Sequence, residues 1–396
     1  MKKKLLFVME SLGIGGAEKS LVTLLSELDY SKYEVDLFLF NFCGEFKELL
    51  PKKVRVIEAP MDFKVFNNNP IKALKYFLLN KKYKLLYYKL IELFILLFNR
   101  FVLHREYIGW NFINKSVDRL NKKYDTAIGF MEKKSIYFTI DKVNADKKIG
   151  WIHTDYSKIQ YNKKLDNEYL KKMDKIVAVS DHCKEALDNV FPELRNKTIV
   201  IENMISPLII NKMAKEKVVE IEKQKDEIII CTVARLTAAK GIDIAIECCK
   251  RIIDKGLKIR WIVIGDGEER SKLEKLIINY GLQDIFLLLG SKSNPYKYMR
   301  MCDIYVQPSI WEGFGITVSE AKILCKPILV NNIPEFKQQI DEGLGIIYNN
   351  IDEMEVELEE LLLNQIKRKC LCENLSQIDK SNIKEVKNIN KLLFSK

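Results

Sequence analysis

Short apolar segments alternate along the whole chain with longer segments of helical spacing. Residues 5–9 form a continuous apolar run that ends in a glycine-rich loop, and residues 16–28 then place leucines on one helix face. Continuous apolar runs indicate strands that are buried on both faces, as in parallel sheets covered by helices. Runs of this kind occur in the first half of the chain at residues 5–9, 33–40, 54–59, 126–131, 148–153, 176–180 and 198–202.

The pattern restarts after a polar, lysine-rich stretch at residues 207–226. The sequence therefore predicts an α/β protein with two Rossmann-like domains, each a doubly wound parallel sheet, at residues 1–205 and 206–379. A chain of 396 residues is long enough for two such cores. The apolar runs of the second half lie at residues 228–233, 260–264, 285–289, 304–307 and 327–330.

Composition narrows the class of protein. Hydrophobic residues make up 47% of the chain, and most of the nine cysteines lie inside apolar patterns, which fits reduced core thiols better than a disulfide framework. The spacing Cys370-x-Cys372 is too tight for an ordinary zinc site. The lysines at positions 2–4 lead directly into an apolar strand without a signal-peptide pattern, so we expect a cytoplasmic location.

The net charge of +11 is concentrated in residues 71–105, which also contain His104. This region has eight Lys/Arg residues and one acid, Glu92, interleaved with aromatic and aliphatic residues. Such a composition suits helices that lie on an anionic membrane surface, whereas Lys89, Glu92 and Arg100 break the apolar run before it could span a bilayer. An ordinary amphipathic helix pair with a solvated basic face is the alternative. We expect no nucleic-acid partner, because no nucleic-acid module accompanies the charge.

Two glutamates flank a glycine-framed turn between residues 309 and 327. Glu312 precedes Gly313-Phe314-Gly315, and Glu320 lies inside the helix that follows. A helix start presents unpaired N–H groups and partial positive charge, which suit a diphosphate. Carboxylates beside it are suited to accept hydrogen bonds from ligand hydroxyls. A ligand with both features is a nucleotide sugar.

Arg235 and Lys240 lie five positions apart between an apolar run and a helical segment. A guanidinium forks onto two phosphate oxygens and an ammonium adds a compact charge, so a loop with this spacing can wrap one anion. The alternative is a pair of surface salt-bridge residues.

Residues 309–327 resemble the Glu-x7-Glu motif of the retaining glycosyltransferases of family 4, which have the GT-B fold. Residues 13–18, 233–241, 263–267 and 302–309 resemble further motifs of that family in the expected order. The resemblance implies two domains that face a cleft, with the first binding the acceptor and the second the donor. It also implies that a last helix, at about residues 380–396, packs back on the first domain.

The resemblance further implies individual roles. Arg235 and Lys240 would hold the diphosphate, Glu312 the hydroxyls of the transferred sugar and Glu320 the ribose. His153 would contact the sugar or support the transition state, although a lone histidine is more often structural. The other residues that would face the donor are Gly15, Gly16, Gly265, Phe314, Gly315, Ile316 and Thr317.

We therefore expect a retaining glycosyltransferase that moves a sugar from a nucleotide-diphosphate sugar, with a UDP-sugar preferred, to a saccharide acceptor. A lipid-linked acceptor in capsule or other surface-polysaccharide assembly, at the inner face of the plasma membrane, would explain residues 71–105. No metal is expected, because the chain has no Asp-x-Asp and cationic groups offset the donor charge. Alternatives are a sugar-nucleotide epimerase and an inactive partner subunit. A dehydrogenase is disfavoured, because Glu18 stands where the dinucleotide fingerprint needs glycine.

Overall fold

The computed structural model describes residues 2–13, 15–98, 105–158, 162–341 and 343–394. His104 and Arg100 lie outside these residues. The chain divides into two compact units: Met1–Met204 with Lys384–Lys396, and Ile205–Ile383.

The first unit is built on a parallel sheet of seven strands in the order β3-β2-β1-β4-β5-β6-β7. The order reverses direction beside β1, which is the arrangement of a doubly wound fold. Its elements are β1 (Lys3–Met9), α1 (Gly16–Glu27), β2 (Tyr33–Leu39), β3 (Arg55–Glu58), α2 (Met61–Phe66), α3 (Pro70–Leu79), α4 (Tyr83–Phe98), α5 (Arg105–Ile113), β4 (Lys123–Gly129), α6 (Lys134–Lys142), β5 (Asn144–Ile152), α7 (Lys163–Leu170), β6 (Lys175–Ala178), α8 (Asp181–Val190) and β7 (Thr198–Val200).

The second unit is built on a parallel sheet of six strands in the order β10-β9-β8-β11-β12-β13. Its elements are α9 (Pro207–Met213), β8 (Ile228–Val233), α10 (Ile242–Asp254), β9 (Ile259–Ile264), α11 (Arg270–Asn279), β10 (Phe286–Leu288), α12 (Tyr296–Met301), β11 (Ile304–Gln307), α13 (Ile316–Ile323), β12 (Ile328–Asn331), α14 (Pro334–Gln339), β13 (Ile346–Tyr348), α15 (Ile351–Leu363) and α16 (Gln365–Gln377). The chain ends in α17 (Ile383–Phe394).

Successive residues of β8 enter two different cores of the second unit. Ile230 packs with Trp261 on one face of the sheet, while Ile229 and Cys231 pack on the other. Side chains alternate across a strand, so a strand that is covered on both faces must be apolar at every position. The continuous apolar runs in the sequence have this cause.

Helix α17 packs against the first unit. Lys3 donates through Nζ to the carbonyl of Leu393 at 3.1 Å, and the Tyr33 hydroxyl donates to Asn390 Oδ1 at 3.0 Å. The rings of Tyr33 and Phe394 lie 5.6 Å apart. These contacts make the first unit discontinuous in sequence.

The prediction of an α/β protein with two parallel sheets is confirmed, and every predicted apolar run forms a strand. Strand β13 was missed, because three residues at the edge of a sheet give too short an apolar run. No helix among the described residues is long and apolar enough to cross a membrane.

Candidate functional site

The centre of the second sheet contains the point where the strand order reverses. Strand β8 pairs with β11, and the chain leaves β8 for α10 on one face and leaves β11 for α13 on the other. Ligands of open parallel sheets bind outside the carboxyl ends of the strands at such a point. The segments that form this edge are residues 234–241 and 308–315.

These two segments contact each other through the backbone. The N–H of Ile310 donates to the carbonyl of Ala239 at 2.8 Å. Gly241 has a φ of 60°, and a Cβ atom at this position would lie 2.2 Å from the carbonyl oxygen of Pro308. Only glycine fits here, so the two segments are held as one edge.

Gly265, which the sequence analysis predicts to face the sugar donor, packs against the segment at residues 234–241. It follows β9 with a φ of 144°, and a Cβ atom there would lie 1.9 Å from the carbonyl oxygen of Ala234. The N–H of Leu236 donates to the carbonyl of Asp266 at 3.1 Å. This glycine therefore lets the loop after β9 press against the loop that carries Arg235.

Lys240 and Glu312 form an ion pair across the edge. Lys240 Nζ lies 2.6 Å from Glu312 Oε2, and the two side chains are only 15% and 12% exposed. Arg235 is exposed, and no ion pair joins it to any part of the chain that the structure describes. Of the two predicted diphosphate ligands, one is thus held by a carboxylate and the other is open to solvent.

Glu312 is also held by side chains that the sequence analysis did not select. Its Oε1 accepts from the Ser309 hydroxyl at 2.7 Å, and Ser309 in turn accepts from Gln307 Nε2 at 2.9 Å. Ser309 and Gln307 are buried. Their signal in the sequence is that Gln307 is the polar last residue of an otherwise apolar central strand and that Ser309 follows two positions later.

Helix α13 begins directly behind this group. Its N-cap, Gly315, has a φ of 81°, and the carbonyl of Phe314 accepts from Gln339 Nε2. The first N–H groups of the helix, at Ile316 and Thr317, have no acceptor within the helix. The helix start thus offers the donors that an anion needs.

Glycine at position 315 is required by its backbone conformation and by a neighbouring ring. A Cβ atom there would lie 2.6 Å from Cε1 of Phe336, on the protein side of the turn. Left-handed backbone and contact with Phe336 therefore explain Gly315.

Glu320 lies in the second turn of α13 and is fully buried. Its Oε1 accepts from the Tyr296 hydroxyl at 2.9 Å. Burial, with a smaller contribution from Glu320, raises the pKa of Tyr296 well above its ordinary value, so Tyr296 remains a donor. Glu320 is thus fixed by a neutral phenol.

His153 follows β5 in the first unit. Its ring packs 5.1 Å from the Phe130 ring, and its backbone N–H donates to Glu132 Oε2 at 3.1 Å. Both ring nitrogens are buried and make no hydrogen bond of normal geometry within the described residues. Burial lowers the pKa of His153 to about 3, and the Phe130 backbone and Asn203 side chain offset this only partly. His153 is therefore neutral at pH 7.

The glycine loop of the first unit leads into α1. Gly15 is the N-cap, and Gly16 is the first residue of the helix. A Cβ atom on Gly15 would lie 2.1 Å from Glu18 Oε2, so the Glu18 side chain folds back over the loop. Elsewhere in this unit, Ser180 caps α8, and His182 Nε2 lies 3.3 Å from Asp155 Oδ2.

Comparison with known proteins finds a family model that matches part of the chain, including the site residues of the second unit. Residues 213–377 match the family model described as Glycosyl transferases group 1. This group 1 match covers most of the second unit, including Arg235, Lys240, Glu312 and Glu320.

Two relatives illustrate the similarity in sequence. The chain is 31% identical over 198 residues to an uncharacterized glycosyltransferase of Methanocaldococcus jannaschii, covering 47% of this chain and 48% of that protein. It is 28% identical over 321 residues to an N-acetylgalactosamine-N,N'-diacetylbacillosaminyl-diphospho-undecaprenol 4-alpha-N-acetylgalactosaminyltransferase of Campylobacter jejuni, covering 81% of this chain and 78% of that protein. The chain spans about half the length of the first of these relatives.

The similarity in structure extends over both units. HepE of Anabaena, solved in complex with UDP and glucose, superimposes with a TM-score of 0.70 at 17% identity, covering 99% of each chain. The fold is therefore GT-B, as the resemblance implied.

Proposed function

We propose that the protein is a glycosyltransferase that moves a sugar from a nucleotide-diphosphate sugar to a saccharide acceptor. The observation that carries this proposal is the junction of β8 and β11, where Arg235, Lys240, Glu312 and the start of α13 form one edge. Cations and helix N–H groups there suit a diphosphate, while the carboxylate suits sugar hydroxyls. The group 1 match over residues 213–377 supports the assignment.

Within the donor site, we assign Arg235 and Lys240 to the diphosphate and Glu312 to the hydroxyls of the transferred sugar. Glu320 is assigned to the ribose. Backbone groups of residues 314–317, together with Gly15, Gly16 and Gly265, complete the assignment. The negative charge that develops on the leaving diphosphate is offset by the two cations and the start of α13, so no metal ion is required.

We further propose that the transfer retains the configuration of the donor sugar. None of the assigned residues is a free carboxylate nucleophile, because Glu312 is held by Lys240 and Ser309. The leaving phosphate itself then helps to remove the acceptor proton on the same face of the sugar. His153 is assigned to the sugar as a neutral hydrogen-bonding partner, since its lowered pKa excludes a role as a proton donor at pH 7.

In this scheme residues 206–379 bind the donor and residues 1–205 bind the acceptor. UDP is the proposed nucleotide, and the UDP complex of HepE supports this choice. A lipid-linked saccharide in surface-polysaccharide assembly is the proposed acceptor, and the diphospho-undecaprenol in the name of the Campylobacter relative supports it.

The surface of α4 supports a membrane-bound acceptor. Five large apolar side chains, spaced alternately four and three residues apart, form one stripe along the helix. Each is between 49% and 75% exposed. The stripe consists of Tyr83, Tyr87, Leu90, Phe94 and Leu97.

Charge beside this stripe selects an anionic membrane as the occupant. Four exposed lysines lie on α3, α4 and the turn between them: Lys72, Lys75, Lys81 and Lys84. Apolar side chains that enter the headgroup region and lysines that pair with anionic lipids are the two components of interfacial binding. We therefore propose that residues 71–105 hold the enzyme on an anionic inner membrane face.

Two of the lysines counted in residues 71–105 do not contribute free positive charge to the surface. Lys89 and Glu92 are buried and form an ion pair of 2.6 Å, and Lys89 Nζ also donates to the carbonyl of Phe66 at 2.9 Å. Lys82 pairs with Asp62. Lys82 and Lys89 thus fix α4 to the rest of the first unit, and among the described side chains of this region the exposed lysines supply the surface charge.

The test of the function is incubation of the protein with a panel of UDP-, GDP- and ADP-sugars, with and without lipid-linked and free saccharides. We expect selective stabilisation by one nucleotide in thermal shift and acceptor-dependent release of that nucleotide. The product should keep the anomeric configuration of the donor, and addition of EDTA should not change the rate. Conversion of the donor without any acceptor would instead identify an epimerase, and binding of no nucleotide sugar would refute the proposal.

A further inference from the structure

The carboxyl end of β11 carries polar side chains where a central strand is normally apolar. Tyr305 and Gln307 occupy alternate positions of β11 and so share one side of the strand, and Ser309 follows two residues after Gln307. Each is at most 1% exposed. Buried polar groups are costly unless they are hydrogen-bonded, so such a cluster needs a reason.

The three side chains form a continuous hydrogen-bond chain that ends on Glu312. The Tyr305 hydroxyl donates to Gln307 Oε1 at 2.6 Å, and Gln307 Nε2 donates to Ser309 Oγ at 2.9 Å. Ser309 Oγ then donates to Glu312 Oε1 at 2.7 Å. The Thr317 hydroxyl also donates to Gln307 Oε1, at 3.3 Å, which ties the start of α13 to the same amide.

The direction of these bonds is fixed by chemistry. A serine hydroxyl has one proton. Because Ser309 accepts from the Gln307 amide, its proton remains available for Glu312. Two hydroxyl donors on Gln307 Oε1, from Tyr305 and Thr317, hold the amide in the orientation that makes this possible.

We propose that Ser309 and Gln307 are positioning residues that hold the Glu312 carboxylate in the orientation that receives the sugar hydroxyls, an inference that rests on the proposed function. Glu312 has two anchors, since Oε1 is held by Ser309 and Oε2 by Lys240 at 2.6 Å. When the donor diphosphate draws Lys240 away, Ser309 is the remaining anchor. The hydrogen-bond chain thus keeps the Glu312 carboxylate in place when the ion pair between Glu312 and Lys240 is lost.

The first test is a double-mutant cycle on the transfer rate with Ser309→Ala and Glu312→Ala. We expect Ser309→Ala to lower kcat about tenfold, as loss of a hydrogen bond to a charged group does, and to leave the affinity for UDP unchanged. In the Glu312→Ala background the same change should alter kcat by less than about twofold, because residues that act through one group are not additive. An equal loss in both backgrounds would overturn the proposal.

Thr232→Val is the matched control. Thr232 is a fully buried hydroxyl on the neighbouring strand β8, where it donates to the carbonyl of Val306 at 2.7 Å and accepts from Trp261 Nε1 at 3.1 Å. We expect it to lower the melting temperature about as much as Ser309→Ala while kcat stays near the wild-type value. If the two variants lower kcat equally, Ser309 acts only on stability and the proposal fails.

Gln307→Glu tests the direction of the chain with almost no change in shape. A carboxylate can only accept from Ser309, so it takes the serine proton from Glu312. We expect this variant to lower kcat at least as much as Ser309→Ala, and wild-type kcat would contradict the proposal.

Crystal structures of the wild type and of Ser309→Ala with UDP bound, so that the diphosphate engages Lys240, test the inference independently of activity. The Glu312 carboxylate should turn from its wild-type position in the variant, and an unchanged carboxylate would overturn the positioning role. A wild-type protein that transfers no sugar would instead refute the proposed function, so the two failures are distinguishable.

Discussion

Removal of the Glu312 charge should strengthen the binding of UDP while it slows sugar transfer by about 100-fold or more. In the free protein Lys240 is paired with Glu312 at 2.6 Å, and both side chains are mostly buried. In the proposed donor site, UDP displaces the Glu312 carboxylate from Lys240 and then binds next to that carboxylate. Glu312→Gln keeps the shape of the side chain and removes both obstacles.

The magnitude follows from the burial of the pair. Exposed ion pairs contribute about 0.2–1 kcal/mol, and one that is only 15% and 12% exposed should lie above that range. If breaking the ion pair costs about 1–2 kcal/mol, its removal should raise the affinity for UDP about 5- to 30-fold. Transfer should fall by about 100-fold or more, because the sugar loses its hydroxyl ligand.

The assay is isothermal titration of UDP into the wild type and the variant, beside the rate of transfer. Glu227→Gln provides a matched control: Glu227 pairs with Arg260 at 2.9 Å with 9% and 14% exposure, at the amino end of β8 and thus far from the site. The control should leave UDP affinity unchanged. Weaker or unchanged UDP binding in Glu312→Gln would refute the view that Lys240 is shared between the carboxylate and the diphosphate.

Three further predictions test other parts of the scheme. Arg235→Ala should weaken UDP binding about 10- to 100-fold, with Arg235→Lys intermediate because an ammonium cannot fork onto two phosphate oxygens; equal affinity in titration would remove Arg235 from the site. Leu90→Ser with Phe94→Ser should reduce co-sedimentation with phosphatidylglycerol vesicles about 10- to 100-fold while transfer to a free saccharide is unchanged, and undiminished sedimentation would exclude the α4 stripe from the membrane contact. The pKa of His153 is lowered to about 3 in the folded protein, so its contribution to stability is complete above about pH 6.5 and decreases as the pH falls towards 3. In urea unfolding, His153→Phe should therefore lose less free energy of unfolding between pH 7 and pH 5 than the wild type does. An identical loss in the two proteins would contradict the lowered pKa.

Most of the architecture could be predicted from the sequence, since parallel strands covered on both faces leave unbroken apolar runs. Residues 228–233 and 260–264 are examples, and each forms a strand in the structure. Strand β13 could not be found in this way, because its apolar run, Ile346–Tyr348, has only three residues.

The sequence also predicted individual site residues better than it predicted the contacts between them. The motif at residues 309–327 indicated the position of Glu312, but not its partner Lys240, which lies 72 positions away and meets it only through the pairing of β8 with β11. Gln307 and Ser309 were visible only as polar residues at and just after the end of a strand, and their direction of hydrogen bonding depends on Thr317 in the next element. Gly315 was selected only as a residue that faces the donor, while the ring that excludes a side chain there, Phe336, belongs to α14.

The return of α17 to the first unit has a consequence for synthesis on the ribosome. Domains usually complete folding in the order in which they leave the ribosome. Here the second unit, Ile205–Ile383, is contiguous and has all of its residues before the first unit receives Lys384–Lys396. We therefore expect the amino-terminal half of the protein to complete its folding last, when Lys3 and Tyr33 contact residues of α17 that are made 390 and 357 positions after them.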